Sequence, residues 1–237
     1  MTTDQFLAPA PPLVAVVGGG IAGLAAAAAL RRTAPDLGVV VLEGSDRVGG
    51  KLALAEVGGL SLDVGAESML NRRPEGVALV RAAGLADRLV HPVTAAAGLW
   101  TRGRMRTMPR TLMGVPGDTR ALAESGTLSP AGVARVALEP RLVATRLDDR
   151  DVSVGWLVEE RFGREVVDRL VEPLLGGVYA GHARELSARA TVPQVVALLE
   201  RDRSMMRAAA ASLAEASDVP VFAGVVGGLG RLPEAVI

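Results

Sequence analysis

Residues 13–32 read LVAVVGGGIAGLAAAAALRR, and this stretch decides the fold. No charge occurs between Asp4 and Arg31, so hydropathy alone would suggest a membrane span or a signal peptide. A signal peptide needs a basic segment ahead of its apolar run, and only Met1–Asp4 precedes this one. A spanning helix would have to absorb Pro11, Pro12 and Gly18-Gly19-Gly20, at a cost of several kcal/mol in helix propensity. The pattern that fits has three parts: a buried β-strand over Leu13–Val17, a tight turn at Gly18–Gly20 and an Ala/Leu-rich helix over Ile21–Arg32. A G-x-G-x-x-G spacing at Gly18, Gly20 and Gly23 then falls on the strand-to-helix junction. There the first glycine makes the turn, the second admits a pyrophosphate and the third packs helix on strand. The free N–H groups of the helix N-terminus, around Ile21 and Ala22, face the phosphates.

Working outward, a turn at Pro35–Gly38 leads to a second strand, Val39–Leu42, which ends in Glu43 about 20 residues past the last glycine. A carboxylate there accepts hydrogen bonds from the ribose of an adenine dinucleotide; the bland alternative is a ligand-free glycine turn with a surface Glu. After Glu43 and Gly44 comes Asp46-Arg47-Val48-Gly49-Gly50-Lys51, which resembles the basic double-glycine motif of amine-oxidase-like FAD flavoproteins. Gly49 and Gly50 let backbone pass close to the cofactor. The cation at Lys51 either neutralises phosphate or holds the ring, or else is an ordinary solvated lysine. Leu62–Ser68 forms a strand and turn; the resemblance places Gly65, Ala66, Glu67 and Ser68 near the flavin, while plain turn chemistry would leave Glu67 and Ser68 in water.

Composition agrees with cofactor-borne chemistry. The 237 residues hold 26 basic and 26 acidic side chains, a net charge of zero, which disfavours a nucleic-acid binder. At 49% hydrophobic the chain can bury a core. Zero Cys removes disulfides, thiolate metal sites and a Cys nucleophile, and two His make a multi-histidine metal site implausible, so no metal is expected. Lys51 is the single lysine.

Further along, Glu75–Val90 has helical periodicity, and Gly98–Met108 reads as a hairpin turned at Arg102-Gly103 with Trp100 and Met105 inward. Arg102, Arg104, Arg106 and Arg110 make a cationic surface, open to a solvated or an anionic-substrate reading. Short helices follow from Thr119 to Leu175, with Ser153 as N-cap of Val154–Phe162 and Gly163 as its C-cap before Arg164–Leu175. Glu172–Gly181 places three glycines and the only Tyr where that helix ends, and His182 is expected to be exposed. One or two long helices are expected over Ala188–Ser217, interrupted at Pro193, then a strand at Val219–Ala223 and the first turn of another helix after Gly227.

Four stretches together resemble the protoporphyrinogen/coproporphyrinogen oxidases of heme biosynthesis, within the flavin-containing amine oxidase superfamily. They are Gly18–Leu24, Arg47–Lys51, Glu172–Ser187 (EPLLGGVYAGHARELS) and Val226–Leu232 (VGGLGRL). The resemblance implies an α/β fold: an FAD-binding Rossmann-like domain, a substrate domain and an inserted helical domain. It divides the chain into FAD-binding residues 1–71, substrate domain 72–115, helical insertion 116–184, substrate domain 185–223 and a return to the FAD domain at 224–237. It implies FAD as cofactor and oxidation of coproporphyrinogen III, more than protoporphyrinogen IX, by six electrons with dioxygen as acceptor and hydrogen peroxide formed. Arg73 is implied as a cation for substrate propionates, and Gly177 as backbone beside the macrocycle. No catalytic side chain is implied. The chain departs from the family at His182, where an acid is usual, and at Gly176, where Ser is frequent. It also departs in length, so the C-terminal half of the family's sequence is expected to be missing and an inactive fragment is an alternative. A carotenoid desaturase is disfavoured by the surroundings of Tyr179–Gly181 and Glu185–Ser187. A cytoplasmic enzyme is expected; peripheral membrane contact and a homo-oligomer are compatible with the sequence.

Overall fold

A computed structural model describes residues 12–94, 96–215 and 219–237. The start of the expected FAD segment (1–11) and the end of the expected helix (216–217) lie outside the described residues. The described residues form two units, 12–94 with 219–237, and 96–215, coarser than the five segments expected from the sequence.

In the first unit, β1 (Leu13–Val17) pairs in parallel with β2 (Gly38–Leu42), Leu13 opposite Gly38 and Val17 opposite Leu42. The crossover is α1 (Ile21–Thr33), which carries Arg31 and Arg32 in its last turn, where cations complement the helix dipole. A hairpin of β3 (Leu54–Val57) and β4 (Leu60–Asp63) follows. The short β5 (Met69–Leu70), the helix α2 (Pro74–Ala82) and β6 (Leu89–Val90) complete the first run. The strand Phe222–Val225 then inserts antiparallel between β5 and β6, Phe222 opposite Leu70 and Gly224 opposite Val90. Leu52, Val80, Val225, Leu229 and Leu232 form the core of this unit.

The expected helix over Glu75–Val90 stops early. Gly84 N–H donates to the Arg81 carbonyl and Leu85 N–H to the Val80 carbonyl, a Schellman closure, and the chain then turns into β6. Sheet pairing of Leu89 and Val90 with the strand Phe222–Val225 outweighs helical periodicity there. That strand also lies a few residues later than the expected Val219–Ala223.

In the second unit the hairpin Gly98–Thr101/Arg104–Thr107 turns at Arg102-Gly103, both with positive φ (52° and 73°), as the tightest hairpins require. Trp100 and Met105, expected inward, are instead 73% and 64% exposed. Leu99 packs on the core from the other face, because alternate residues of a strand face opposite sides. Side chains one residue ahead cap α3 (Thr119–Ser125, by Asp118), α4 (Pro130–Ala137, by Ser129) and α5 (Val154–Phe162, by Ser153). After Gly163 the chain stays helical through Arg164–Val166, a π turn at Val167–Val171 and Glu172–Tyr179. It therefore runs past Leu175 and through Gly176-Gly177. The expected long helices after Ala188 are four short ones: Ala188–Thr191, Pro193–Val196, Leu198–Arg201 and Met205–Ala214. Pro193 and the caps Ser187 and Ser204 divide them. Leu122, Leu157, Phe162, Leu170, Leu175 and Met205 are fully buried in this unit's core, each worth about 1.5–3 kcal/mol.

Among the described residues no helix is long and apolar enough to cross a membrane, and no three His, Asp or Glu side chains gather as a metal-ligand set.

Candidate functional site

The site grows from the turn after β1. Gly18 N–H donates to the Leu42 carbonyl at 2.7 Å, tying the turn to the end of β2. Leu24 N–H donates to the Gly20 carbonyl, which begins α1. A Cβ on Gly23 would lie 1.9 Å from the Gly18 carbonyl oxygen, so only glycine lets helix and turn approach this closely. A Cβ on Gly20 would meet nothing within 4 Å. The first turn of α1, with Ile21, Ala22 and Gly23, has neither a side-chain cap nor an acidic residue, an arrangement that can receive an external anion.

Backbone hydrogen bonds sew the other predicted loops to this turn. Gly49 N–H donates to the Gly19 carbonyl at 2.7 Å, and Gly20 bridges Gly49 in parallel. Ala66 N–H donates to the Lys51 carbonyl and Val64 N–H to the Ala53 carbonyl, both at 2.9 Å. Residues 18–23, 47–51 and 64–66, separated by up to 48 positions in the sequence, thereby become one surface.

Charged side chains divide into those that build this surface and those left over it. Glu43 builds. Its Oε2 accepts from Gly19 N–H at 2.7 Å, and its Oε1 accepts from Ser45 N–H at 2.8 Å and Ser45 Oγ at 2.9 Å. The Ser45 backbone bond, then the Ser45 hydroxyl and the Gly19 N–H, hold its pKa down at about 2, so the carboxylate is ionised. It remains exposed, next to Gly44. Arg47 also builds, donating to the carbonyls of Gly50 (2.9 Å), Leu52 (3.2 Å) and Val48 (3.3 Å). Lys51 is exposed and, among the described residues, makes no side-chain hydrogen bond or ion pair; Glu67 and Ser68 are exposed in the turn after β4. Arg73 occupies the N-cap position of α2, exposed.

Gly177 belongs to the second unit, in the last turn of the helix Glu172–Tyr179; it is exposed, and a Cβ there would meet nothing within 4 Å. Three members of the arginine cluster are occupied with carbonyls: Arg102 with Gly126 and Leu128, Arg106 with Thr101 and Arg110 with Leu213. Burial and then the neighbouring charges of Arg104 and Arg102 push the Arg106 pKa down.

Asp63 was absent from the expected site. Its Oδ2 accepts from Leu229 N–H and its Oδ1 from Gly230 N–H, both at 2.8 Å, which fastens the 229–231 turn onto β4. The one sequence signal was Asp at the end of a strand running into Val-Gly-Ala; its partners lie 166 residues away.

Comparison with known proteins adds three likenesses. The family profile of flavin containing amine oxidoreductases matches residues 21–237. Coproporphyrinogen III oxidase of Mycobacterium tuberculosis H37Rv is 37% identical over 230 residues, 96% of this chain and 50% of that protein. The protein of that name from Mycobacterium leprae is 39% identical over 216 residues, 90% of this chain and 48% of that protein. A crystal structure from Exiguobacterium sp. 255-15, provisionally assigned as a protoporphyrinogen oxidase, superposes with a TM-score of 0.83 at 31% identity, covering 95% of this chain and 50% of that one. The chain spans about half the length of the curated relatives it matches.

Proposed function

This chain belongs to the flavin-containing amine oxidoreductases, FAD-dependent oxidoreductases by chemistry, and from that premise we propose that it serves the oxidation of coproporphyrinogen III to coproporphyrin III in the cytoplasm. The observation that carries the proposal is the surface made by residues 18–23, 47–51 and 64–66: an uncapped helix N-terminus behind a glycine turn, with an ionised Glu43 at its edge. Those residues fit FAD. The free N–H groups of the first turn of α1 suit its pyrophosphate, and the open space over Gly20 admits it. Glu43 suits the ribose hydroxyls, because its Oε2 accepts only one bond in the protein. Lys51 supplies the one uncommitted cation of this surface, and Gly65, Ala66, Glu67 and Ser68 border the flavin. When bound, FAD supplies two-electron oxidation and return of the electrons to dioxygen. Over three turnovers one porphyrinogen and three dioxygen give one porphyrin and three hydrogen peroxide, which balances six electrons and six protons.

In this proposal Arg73 faces substrate propionates and Gly177 lies beside the macrocycle, within the five-segment domain order set out above. The name of the Exiguobacterium structure favours a second substrate, protoporphyrinogen IX, which lacks two of the propionates. Flavin absorbance in the purified chain tests cofactor binding. Oxygen uptake with appearance of porphyrin fluorescence from each porphyrinogen tests the reaction and ranks the substrates. A chain that retains flavin but oxidises neither refutes the catalytic reading for these 237 residues and leaves a flavin-binding one.

A further inference from the structure

Glu172 opens the last stretch, Glu172–Tyr179, of the continuous helix that carries Gly177, and its side chain holds the turn that follows the helix end. Its Oε2 accepts from Ala183 N–H at 2.8 Å, and its Oε1 meets His182 Nδ1 at 3.0 Å. Between these points the chain reverses: Ala180 takes a left-handed conformation (φ 50°) and closes the helix. The turn packs back over Gly176, where a Cβ would lie 3.5 Å from the Gly181 carbonyl oxygen and 3.9 Å from Glu172 Oε1, ordinary contact distances. The far side of the turn is anchored in the core. Ala183 is fully buried, its carbonyl accepts from Gly155 N–H at 2.7 Å, and the Leu186 carbonyl accepts from Val154 N–H at 2.9 Å. Tyr179 Oη donates to the Thr191 carbonyl at 2.7 Å.

The Glu172 carboxylate is only 28% exposed, while His182 is 79% exposed. Losing the histidine thus costs little packing. The groups facing His182 are Glu172 from the helix and Glu185 from the turn; Arg184 is turned away, into ion pairs with Glu159 (2.8 Å) and Asp168 (2.9 Å). Among the described residues the charges acting on the imidazole are these two carboxylates, and both favour its protonated form.

We propose that Glu172 is a positioning residue for the porphyrinogen: its carboxylate clamps the 180–183 turn to the helix presenting Gly177, and His182 is the charged partner that completes the clamp. The proposal rests on the porphyrinogen reading above. The hydrogen bond that His182 donates to the Glu172 carboxylate, then the charges of Glu172 and Glu185, raise the His182 pKa. The clamp is therefore complete at low pH and loses its ionic half as pH rises through that raised value.

The test is fluorescence titration of the 237-residue chain with coproporphyrin III, the oxidised macrocycle with all its propionates, at about pH 6 to 8.5. Wild type binds more weakly at the upper end. Glu172→Ala weakens binding about tenfold. Glu172→Gln keeps an acceptor for Ala183, restores most of that loss and flattens the pH dependence. His182→Gln, at an exposed position that leaves folding intact, flattens the pH dependence as well. If wild type binds but all three variants match it in affinity and pH profile, the clamp is refuted and the porphyrinogen reading stands. If wild type retains FAD and binds no porphyrin, the porphyrinogen reading falls and takes the proposal with it.

Discussion

Replacing Gly23 with Ala and, separately, Gly20 with Ala divides the role of the glycine turn into a packing part and a ligand part. The new Cβ at position 23 would sit 1.9 Å from the Gly18 carbonyl oxygen, roughly 1 Å or more inside any real contact. That oxygen cannot yield freely. Gly18 N–H is held by the Leu42 carbonyl at 2.7 Å, and the next peptide is held by Glu43, also at 2.7 Å. Overpacking of a well-packed contact costs about 1–3 kcal/mol, and breaking either hydrogen bond to relieve it adds about 1 kcal/mol. Ala regains only about 0.5–1 kcal/mol over Gly in helix propensity. Gly23→Ala should therefore cost about 1–3.5 kcal/mol, read as a fall in Tm of roughly 2–14 °C by circular dichroism for a chain of this size. Gly20 has an ordinary φ of −72° and open space around its Cβ, so Gly20→Ala should shift Tm by no more than about 2 °C. It should weaken FAD binding about tenfold or more if, as proposed, the pyrophosphate occupies the space the methyl would enter. Equal melting temperatures for Gly23→Ala and wild type would overturn the packing argument. Equal FAD affinity for Gly20→Ala and wild type would overturn the placement of the phosphates.

Three other perturbations separate further features. Glu43 has its pKa depressed to about 2, so its stabilising contribution is whole above the ordinary carboxylate value of about 4.3 and is lost as pH falls toward the folded value. Glu43→Gln should abolish that part of the acid destabilisation, seen as a smaller drop in Tm from about pH 5 to pH 2.5; an unchanged profile counts against the ionised contact. Asp63→Ala removes the acceptor for Leu229 and Gly230 N–H, and amide exchange at those two residues should accelerate at least tenfold while the Leu54–Asp63 hairpin amides keep their protection. In the second unit, Arg161 and Glu139 are buried together, with Ser204 Oγ and Met205 N–H also on the carboxylate. Arg161→Met alone should cost about 3–5 kcal/mol in urea unfolding, and adding Glu139→Leu should recover part of it; equal costs for the single and double variants would refute the unpaired-charge explanation.

Short-range rules carried the sequence reading furthest. The strand Leu13–Val17 and the caps at Ser153 and Gly163 depend on neighbours within a few residues. The cofactor loops were recognisable one by one for the same reason, since a glycine at a turn is needed where it stands. The readings that failed spanned competing interactions. Leu85–Val90 has the period of a helix, yet Leu89 and Val90 gain more from pairing with a strand over 130 residues later. Trp100 and Met105 are opposite each other on a hairpin in either reading, and only the core beneath Leu99 decides which face is inward.

Local sterics and hydrogen bonding are written in nearest neighbours, so the sequence by itself determined the glycine turn, its helix and the loops that follow it. What each charge does was decided by the tertiary structure. Arg47 and Glu43 look in the sequence like side chains free to meet a ligand, yet folding ties Arg47 to carbonyls of its own loop and Glu43 to Gly19 N–H, while Asp63 takes backbone partners over 160 residues away. Glu172, unremarkable in its helix, becomes the anchor of a turn ten residues away. A charge binds whatever folding brings within hydrogen-bond reach, and that distance exists only once the chain has closed on itself.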